Sequence, residues 1–437
     1  MTIVAEPTYI RMLGIRIDLA EGITTTNGWT LMYASFATIG FLTFVNTGQA
    51  FILNANLGVA RDEQGVLSGN LAFWNEIITI ALAAPFGVLA DKVGRRPLFC
   101  FGLIAMALGY ALYPLADSIT DLTIARSVYA VGTAAAAGML GTVGADYPRE
   151  HSRGKLIAWT GVFNSLGVIF TAFVFGRVLL PLFENQYGSQ EAGTYTFWLL
   201  AIILVLSALI LHLGLKGGTP AGRHEQPPLM DLVRAGFRNA RNPRIALAYS
   251  SAFVARGDLV IIGVFLTLWG TQAGIERGME PGQAAREGAT IFILAQIFGL
   301  FWSPIMGFFI DRVNRVSATI FGSAMASFGY MSMGLIDDPL DRSWLPLFAI
   351  LGIGQISAFF ASQALVGQEA PYKERGAVVG MFSLCGALGI LVCTSVGGVL
   401  FDDWMKSGPF VFVGFLNLFV LLFAVIVRIK SPGISVT

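Results

Sequence analysis

Long runs of apolar residues alternate with short polar stretches along most of this chain. A helix that crosses a bilayer needs roughly 20 predominantly apolar residues, and twelve runs of about that length occur between residues 30 and 429. The first run is too long for the core of a secretory signal peptide, so it counts as a span. The pattern predicts an all-α integral membrane protein with twelve transmembrane helices. The predicted spans are 30–53, 66–90, 97–116, 121–146, 156–181, 195–215, 244–270, 288–310, 317–336, 344–367, 377–400 and 409–429.

The composition of the chain agrees with this assignment and excludes several classes of protein. Of its 437 residues, 55% are hydrophobic and 13% are charged, whereas soluble domains carry about 25% charged residues. A net charge of +1 leaves no excess of basic groups to neutralise phosphates, which argues against a nucleic-acid partner. The three histidines lie at or beyond span ends, and neither a nucleotide-binding glycine loop nor a nucleophile–base set occurs at membrane depth. We therefore expect a protein that is not an enzyme, holds no metal or cofactor, and has the lipid bilayer as a partner.

The distribution of lysine and arginine predicts the orientation of the chain. With the amino terminus in the cytoplasm, the cytoplasmic segments hold twenty of these residues and the outside loops only five. Because basic residues accumulate on the cytoplasmic side, and because the number of spans is even, both termini are predicted to be cytoplasmic. The absence of glycosylation sequons and of long outside loops favours the inner membrane of a bacterium.

One long polar connection divides the chain into halves of six spans each. Residues 216–243 are rich in glycine, proline and charge and fall between the sixth and the seventh span. Within them, Asp231–Asn239 forms either a short interfacial helix, with Leu232, Val233 and Phe237 on one side, or plain linker. The predicted organisation is a cytoplasmic segment 1–29, a six-helix bundle 30–215, a cytoplasmic linker 216–243, a second six-helix bundle 244–430 and a cytoplasmic tail 431–437.

Two loops of the first half recur in the second half at nearly the same spacing. The loop after the second span reads GVLADKVGRR at 87–96, and the loop after the eighth reads GFFIDRVNR at 307–315, an offset of 220 residues. The loop after the fourth span carries DYP at 146–148 and RG at 153–154, and the loop after the tenth carries EAP at 369–371 and RG at 375–376. Two loops that recur together predict two homologous bundles with parallel topology.

The loop at 87–96 fits the pattern G-x-x-x-D-[RK]-x-G-[RK]-[RK] throughout, and by it the chain resembles the major facilitator superfamily of secondary transporters. The second copy departs from the pattern at Asn314, and a similarity to the superfamily's second motif around Arg126 departs at Tyr129 and Ala130. The resemblance implies two pseudo-symmetric six-helix bundles, transport by alternating access, and loop charges that latch the cytoplasmic side closed. The alternative for the loops is a positive-inside anchor with a turn glycine. The predicted gating residues are Gly87, Asp91, Arg95, Arg96, Asp146, Arg153, Asp311, Arg312, Glu369 and Arg375.

Polar residues recur at helical spacing in the first, fifth, eighth and tenth spans. A transporter of this class encloses a polar cavity near the bilayer midplane, so such stripes predict side chains that line it. The alternative is that small and polar residues make contacts between helices. The predicted substrate-binding amides are Asn46, Gln49, Asn164, Gln296 and Gln355.

Four ionisable residues lie well inside the predicted spans, where a charge is costly. Glu76 and Asp258 are predicted proton carriers, because burial penalises the charged form of a carboxyl group. Arg126 and Arg256 are predicted to bind an anionic group of the substrate, because a guanidinium keeps its charge and binds carboxylate or phosphate with two hydrogen bonds. Arg126 also resembles a family arginine implicated in proton coupling. A structural ion pair is the alternative for Asp258.

Arg256 and Asp258 are two residues apart and flank Gly257. On a regular helix they point about 200° apart and cannot pair with each other. Either one faces the cavity while the other finds a partner behind it, or the helix is unwound at the glycine.

These features together predict a secondary transporter that works as a monomer, moves a small organic solute with an anionic group, and is coupled to protons. Proton-driven efflux of amphiphilic or drug-like compounds is the alternative within the same class. A membrane protein that no longer transports, acting as a sensor or an assembly factor, is the alternative from another class.

Overall fold

Thirteen helices and one β-hairpin make up the computed structural model, which describes residues 8–218, 229–371 and 374–431. Each predicted span coincides with a long helix or overruns its end by one to four residues. Eleven helices of the described residues are long and apolar enough to cross a membrane, and α10 is the twelfth long helix. The helices are α1 Thr25–Ala55, α2 Gln64–Val93, α3 Arg95–Leu112, α4 Ile119–Asp146, α5 Arg153–Thr171 (continued by a π-helix Ala172–Leu179 and an α-helix Leu180–Tyr187), α6 Ser189–Gly214, α7 Leu229–Asn239, α8 Pro243–Ile261 (continued by a π-helix Ile262–Leu266 and an α-helix Thr267–Glu276), α9 Pro281–Arg312, α10 Arg315–Ser332, α11 Leu345–Glu369, α12 Arg375–Asp403 and α13 Gly408–Lys430.

The chain divides into two compact units, and the division differs from a cut at the linker. Unit 1 comprises Met1–Gly48, Ala55–Leu57 and Ile77–Arg223, and unit 2 comprises Gln49–Asn54, Gly58–Glu76 and His224–Thr437. Thus α1 and α2 each contribute to both units. The parts of the predicted segments at 1–7, 219–228 and 432–437 lie outside the described residues.

Glycines allow the helices of unit 1 to pack closely. Helix α3 packs against α4 and α6, and a Cβ added at Gly132 would lie 2.4 Å from the backbone nitrogen of Met106. Helices α1 and α5 meet in the same way, since a Cβ at Gly167 would lie 2.0 Å from the carbonyl oxygen of Phe36. Such contacts are possible only where no side chain separates the two backbones.

Unit 2 repeats this arrangement. Its third long helix, α10, packs against the fourth and the sixth, α11 and α13, as α3 does in unit 1. A Cβ added at Gly389 of α12 would lie 1.8 Å from the carbonyl oxygen of Phe253 on α8, and one at Gly352 of α11 would lie 1.9 Å from that of Ala295 on α9. The helices of the second half therefore pack as those of the first half do, as expected for the two pseudo-symmetric six-helix bundles that the sequence repeat predicts.

The N-terminal segment contains a β-hairpin that the apolar pattern did not predict. Strands β1 (Tyr9–Met12) and β2 (Ile15–Asp18) are antiparallel and joined by a two-residue turn with positive φ at Leu13 and Gly14. The hairpin lies on the loop between α4 and α5, where the Asp18 amide donates to Ser152 Oγ at 3.1 Å.

The linker contains the short helix, one of the two alternatives that the sequence allowed. Helix α7 is fixed to unit 2, because the Tyr249 hydroxyl donates to the carbonyl of Gly236 at 3.2 Å and Arg238 forms an ion pair with Glu374. Phe237 is 65% exposed. The side chains of residues 229–233, which include two of the three predicted apolar positions, lie outside the described ones.

Candidate functional site

A guanidinium is enclosed by aromatic side chains inside unit 1. Arg126 of α4 is 3% exposed, and its Nη2 donates to Oδ1 of Asn46 on α1 at 2.6 Å. The guanidinium carbon lies 5.4 Å from the centre of the Tyr129 ring, and a side-chain hydrogen bond links Arg126 to Tyr113. The Tyr129 hydroxyl donates to the carbonyl of Leu42 at 2.7 Å. The amide and the rings together hold the guanidinium in one orientation.

Arg126 has no acidic partner among the residues that the structure describes. Its Nε and Nη1 are buried and donate no hydrogen bond, and no carboxylate of the described chain pairs with it within 4.0 Å. A buried charge is costly unless it is paired and its donors are satisfied. Arg126 therefore has the donors and the charge to bind an anion. The guanidinium lies over the ring of Tyr129, a residue that departs from the family motif.

Glu76 and Arg256, which the sequence assigns to separate roles, lie together in unit 2. Their opposite charges attract each other between α2 and α8, and both side chains are half-buried. The Arg256 side chain crosses α12 at Gly386, where an added Cβ would lie 2.5 Å from Arg256 Cγ. A larger residue at 386 would displace the arginine, so the glycine holds open its path.

Asp258 is fully buried on another side of α8. Its exposed fraction is 0%, and neither carboxylate oxygen has a hydrogen-bond partner within the described residues. The Tyr330 hydroxyl of α10 donates to the backbone carbonyl of Asp258 at 3.2 Å, not to its side chain. Desolvation opposes a charge in such surroundings, which is the environment expected of an acid that takes up and releases a proton.

Helix α8 resolves the two alternatives for Arg256 and Asp258. It is α-helical through Gly257 and turns into a π-helix only at Ile262. The helix is therefore not unwound at the glycine, and the two charged side chains point in different directions. A Cβ added at Gly257 would lie 2.5 Å from Cys393 Sγ, so this glycine lets α8 approach α12.

The predicted substrate-binding amides are engaged in contacts between helices. Gln49 Nε2 donates to Ser68 Oγ at 2.8 Å. The Asn164 amide, with its nitrogen turned towards the carbonyls of α5 and α1, donates to them at 3.2 and 3.1 Å. Gln296 Nε2 donates to Gln355 Oε1 at 3.4 Å, while the buried Gln355 Nε2 has no partner in the described chain. The structure thus groups Gln296 with Gln355 and Asn46 with Arg126. Their role as substrate ligands stays a prediction.

The loop at 87–96 joins two helices through an ion pair. Arg95, the first residue of α3, pairs with Asp146, the last residue of α4. Gly94 precedes α3 with φ +94°, a conformation that favours glycine. Asp91 and Gly87 are exposed, and a Cβ at Gly87 would meet nothing within 4 Å. Packing within the described chain therefore does not require a glycine at 87.

The two other basic residues predicted for gating in unit 1 have local surroundings. The Arg96 guanidinium lies against the backbone at Gly217, where an added Cβ would be 3.0 Å from its Cζ. Arg153 pairs with Glu150, one turn away, at 2.9 Å. Arg153 is therefore paired with a residue that takes no part in the Arg95–Asp146 ion pair.

The contacts in the second copy of the loop explain why it departs from the pattern. Asn314 replaces the glycine and caps α10, since its Oδ1 accepts from the Val316 amide at 2.9 Å. Asp311 pairs with Arg315 at 3.4 Å, and the Arg312 guanidinium lies 3.4 Å from the centre of the Phe308 ring. All of these contacts are local to the loop.

The last predicted gating pair lies at the end of α11 and the start of α12. Glu369 pairs with Arg244 of α8 at 3.1 Å, whereas Arg375 is exposed. Glu374, which the sequence did not single out, accepts a hydrogen bond from Asn239 of α7, and this bond lowers the pKa of Glu374. The linker helix is thus tied to the same loop as the second gating motif.

A further polar contact at the opposite end of unit 2 was not predicted. Asp402, near the end of α12, accepts from the amides of Gly65 at 3.0 Å and Val66 at 2.7 Å, and so caps the start of α2. Its side chain is 1% exposed. The only signal in the sequence was an acid close to the end of an apolar run.

Comparisons with known proteins agree on one family. The family model described as Major Facilitator Superfamily matches residues 30–392. The magnetosome protein MamH of Paramagnetospirillum magneticum is 28% identical over 398 residues, which cover 88% of each chain. The magnetosome protein MamZ of the same organism is 24% identical over 91% of this chain, which spans 62% of MamZ. The structure of the nucleoside transporter NupG superposes with a TM-score of 0.69 at 16% identity over 92% of this chain and 99% of NupG, a likeness of fold.

Proposed function

Because the chain belongs to the Major Facilitator Superfamily, a family of secondary transporters, we propose that it moves a small organic solute with an anionic group across a membrane by alternating access. Protons drive the movement. One chain supplies both bundles, so the working unit is a monomer.

The observation that carries the anionic preference is the buried guanidinium of Arg126. It is held by Asn46 and the tyrosines, lacks an acid among the described residues, and keeps two donors unused. A carboxylate or phosphate of the solute would satisfy both donors and the charge. Arg256 is a weaker candidate on its own, because the charge of Glu76 already lies beside it.

Coupling to protons is supported by the electrostatic attraction between Glu76 and Arg256, which form no ion pair within 4.0 Å. While Glu76 is ionised it competes with an anionic solute for Arg256, and when Glu76 is protonated Arg256 is free to bind the solute. Asp258 supplies a second proton-carrying acid on α8, the helix of Arg256, because its buried carboxyl has no hydrogen-bond partner in the described chain. Proton and anion would then move in the same direction.

The loops carry the proposed gate and orientation. The Arg95–Asp146 ion pair of unit 1 and the Arg244–Glu369 ion pair of unit 2 are the proposed latches, and the loops that carry them face the cytoplasm together with both termini. The membrane is the bacterial inner membrane. Because MamH and MamZ are magnetosome proteins, a magnetosome membrane is the second candidate location. Localising a tagged chain in cells distinguishes the two membranes.

Binding is tested with the full chain purified in a maltoside detergent. Thermal unfolding is followed against carboxylates, phosphates, lipophilic amines and neutral metabolites, since ligands that bind the folded state raise its Tm. Organic anions should stabilise the chain, and Arg126→Gln should weaken the best anion on the order of 10- to 100-fold, the loss of one hydrogen bond to a charged group. Arg286→Gln, which removes an exposed arginine of α9, should leave binding unchanged. Stabilisation by lipophilic amines alone would favour efflux of amphiphilic compounds and refute the anion assignment.

A further inference from the structure

A cavity of about 450 Å³ opens in unit 2, at the end opposite the 311–315 loop. It lies where α8, α10 and α12 end and where α13 begins, and its volume is in the range typical of small-molecule sites. Nothing in the proposed transport of an anion uses it. Its wall includes Trp269, Gln272, Glu276, Arg277, Asp337, Asp338, Met405 and Lys406.

The charge of the wall favours a cation. Three carboxylates and two basic groups belong to the wall, and all but one of these five groups are paired: Arg277 pairs with Asp338, Lys406 Nζ lies 3.9 Å from Asp402, and Glu276 lies 3.8 Å from Arg61. Asp337 is exposed and has no hydrogen bond or ion pair to any described residue. A carboxylate is therefore left free to attract a positive charge.

The ends of the surrounding helices add to this negative potential. Helices α8, α10 and α12 approach the cavity with their carboxyl ends, at Glu276, Ser332 and Asp403, and α13 approaches with its amino end, at Gly408. The amino end of α2 lies against the wall residue Gln272, which donates to Gln64 Oε1. The carboxyl end of a helix carries about half a negative charge and favours cations. Three carboxyl ends thus face two amino ends, and the amino end of α2 is already capped by the carboxylate of Asp402.

Two buried side chains show that the cavity is more than a group of surface acids. Gln272 is 1% exposed and donates through Nε2 to the carbonyl of Arg61 at 3.0 Å and to Gln64 Oε1 at 3.1 Å, yet its own Oε1 accepts no hydrogen bond within the described residues. Trp269 is 4% exposed and contributes an indole to the apolar part of the wall. The indole suits an organic ammonium ion, since it is the aromatic group that binds such cations best, and the unpaired amide oxygen of Gln272 adds partial negative charge beside it.

We propose that this cavity is a binding site for a small organic cation of the quaternary ammonium type. Its charge lies near Asp337 and Glu276, and its methyl groups pack on Trp269. The volume is too large for a bare metal ion, and the carboxylates of the wall do not form a group of three or more that could hold one within the described residues. In the proposed orientation the site faces the outside of the membrane.

Binding of tetramethylammonium and of choline to the purified full chain tests the proposal. Titration calorimetry in a maltoside detergent, at constant ionic strength with sodium chloride as the reference, should give saturable binding of both. The double variant Glu276→Gln, Asp337→Asn should raise Kd at least tenfold, the loss of about 1.4 kcal/mol. Asp117→Asn, which removes an exposed acid of unit 1, is the matched control and should bind as the wild type does.

The aromatic wall is tested by a pair of substitutions. Trp269→Phe keeps a ring and should keep most of the affinity, whereas Trp269→Leu should lose it. Because position 269 is buried and a variant there can fail to fold, the substitutions at the exposed Asp337 and Glu276 decide the matter on their own. No saturable binding of either probe, binding of calcium but not of the probes, or equal binding by the double variant would each overturn the proposal.

Discussion

The cap that Asp402 places on the start of α2 gives a quantitative prediction. The carboxylate accepts two backbone amides, from Gly65 and Val66, and its side chain is 1% exposed. These amides belong to the first turn of α2, where donors have no partner within the helix. Asp402→Ala removes both acceptors, whereas Asp402→Asn removes the charge and keeps one acceptor oxygen.

The expected loss follows from the number and the kind of hydrogen bonds. A hydrogen bond to a charged group contributes about 1.5–3 kcal/mol, and loss of a helix cap costs about 0.5–2 kcal/mol. Because freed amides regain water when the end of the helix opens, we expect about 2–3 kcal/mol for Asp402→Ala, near the lower limit for two such bonds. That loss raises the population of the open helix end roughly 30- to 150-fold. For Asp402→Asn we expect about 1 kcal/mol, roughly fivefold.

Hydrogen exchange of the full chain in detergent measures this opening. The exchange is followed by mass spectrometry on peptides that cover Gly65 and Val66. Asp403→Asn is the matched control: it changes the next residue of α12, which is exposed, and should leave exchange at the start of α2 unchanged. If Asp402→Ala exchanges there at the wild-type rate, or if Asp403→Asn accelerates exchange equally, the cap does not hold the helix end.

Three further predictions test the packing, the hairpin and the coupling. A Cβ at Gly389 would lie 1.8 Å from a carbonyl of α8, so Gly389→Val should lower the free energy of unfolding by about 1–3 kcal/mol or more, whereas Gly380→Ala, in open space on the same helix, should be neutral in thermal unfolding. The hydrogen bonds with His151 and Arg16 lower the pKa of Asp18 below its ordinary 3.8. The ionised carboxylate therefore stabilises the fold fully above that pH, and this stabilisation is lost as the pH falls through the lowered pKa. Asp18→Asn should reduce Tm at about pH 6, and its effect should become progressively smaller as the pH falls below 3.8. In proteoliposomes Asp258→Asn should abolish pH-driven flux of the anion found by the binding screen and spare its counterflow exchange; unchanged pH-driven flux would exclude this carboxyl as the proton carrier.

The long helices could be predicted because burial in a membrane is set by the hydropathy of each span alone. The hairpin could not, because its strands are four residues long and the loop on which it lies is far away in sequence. Asp18 meets Ser152 across 134 residues, and the turn places Leu13 at φ +44°, where leucine is rare. Neither feature leaves a periodic signal in the sequence.

The charged residues show where a linear pattern stops being informative. Asp402 and Asp403 are neighbours at the end of the same apolar run, yet one side chain caps α2 and the other is exposed. Their difference is one of helical phase, about 100° per residue, relative to a helix from another part of the chain. Arg256 and Glu76 illustrate the same limit, since their attraction depends on how α2 packs beside α8.

Polar residues at helical spacing occur where helices contact each other, and the same spacing would place them along a cavity. This ambiguity has a physical cause. In a membrane a hydroxyl or amide finds its partner in the nearest backbone, as Thr171 does when it donates to the carbonyl of Gly40 at 3.0 Å beside the close approach of α1 and α5. The spacing that places a side chain towards the bundle interior is therefore the same for a contact and for a ligand. What separates the two is whether the polar group is satisfied. The Nε of Arg126 and the carboxyl of Asp258 are buried without a hydrogen-bond partner among the described residues, and a group that the fold leaves unsatisfied at such cost is where a solute or a proton is expected to bind.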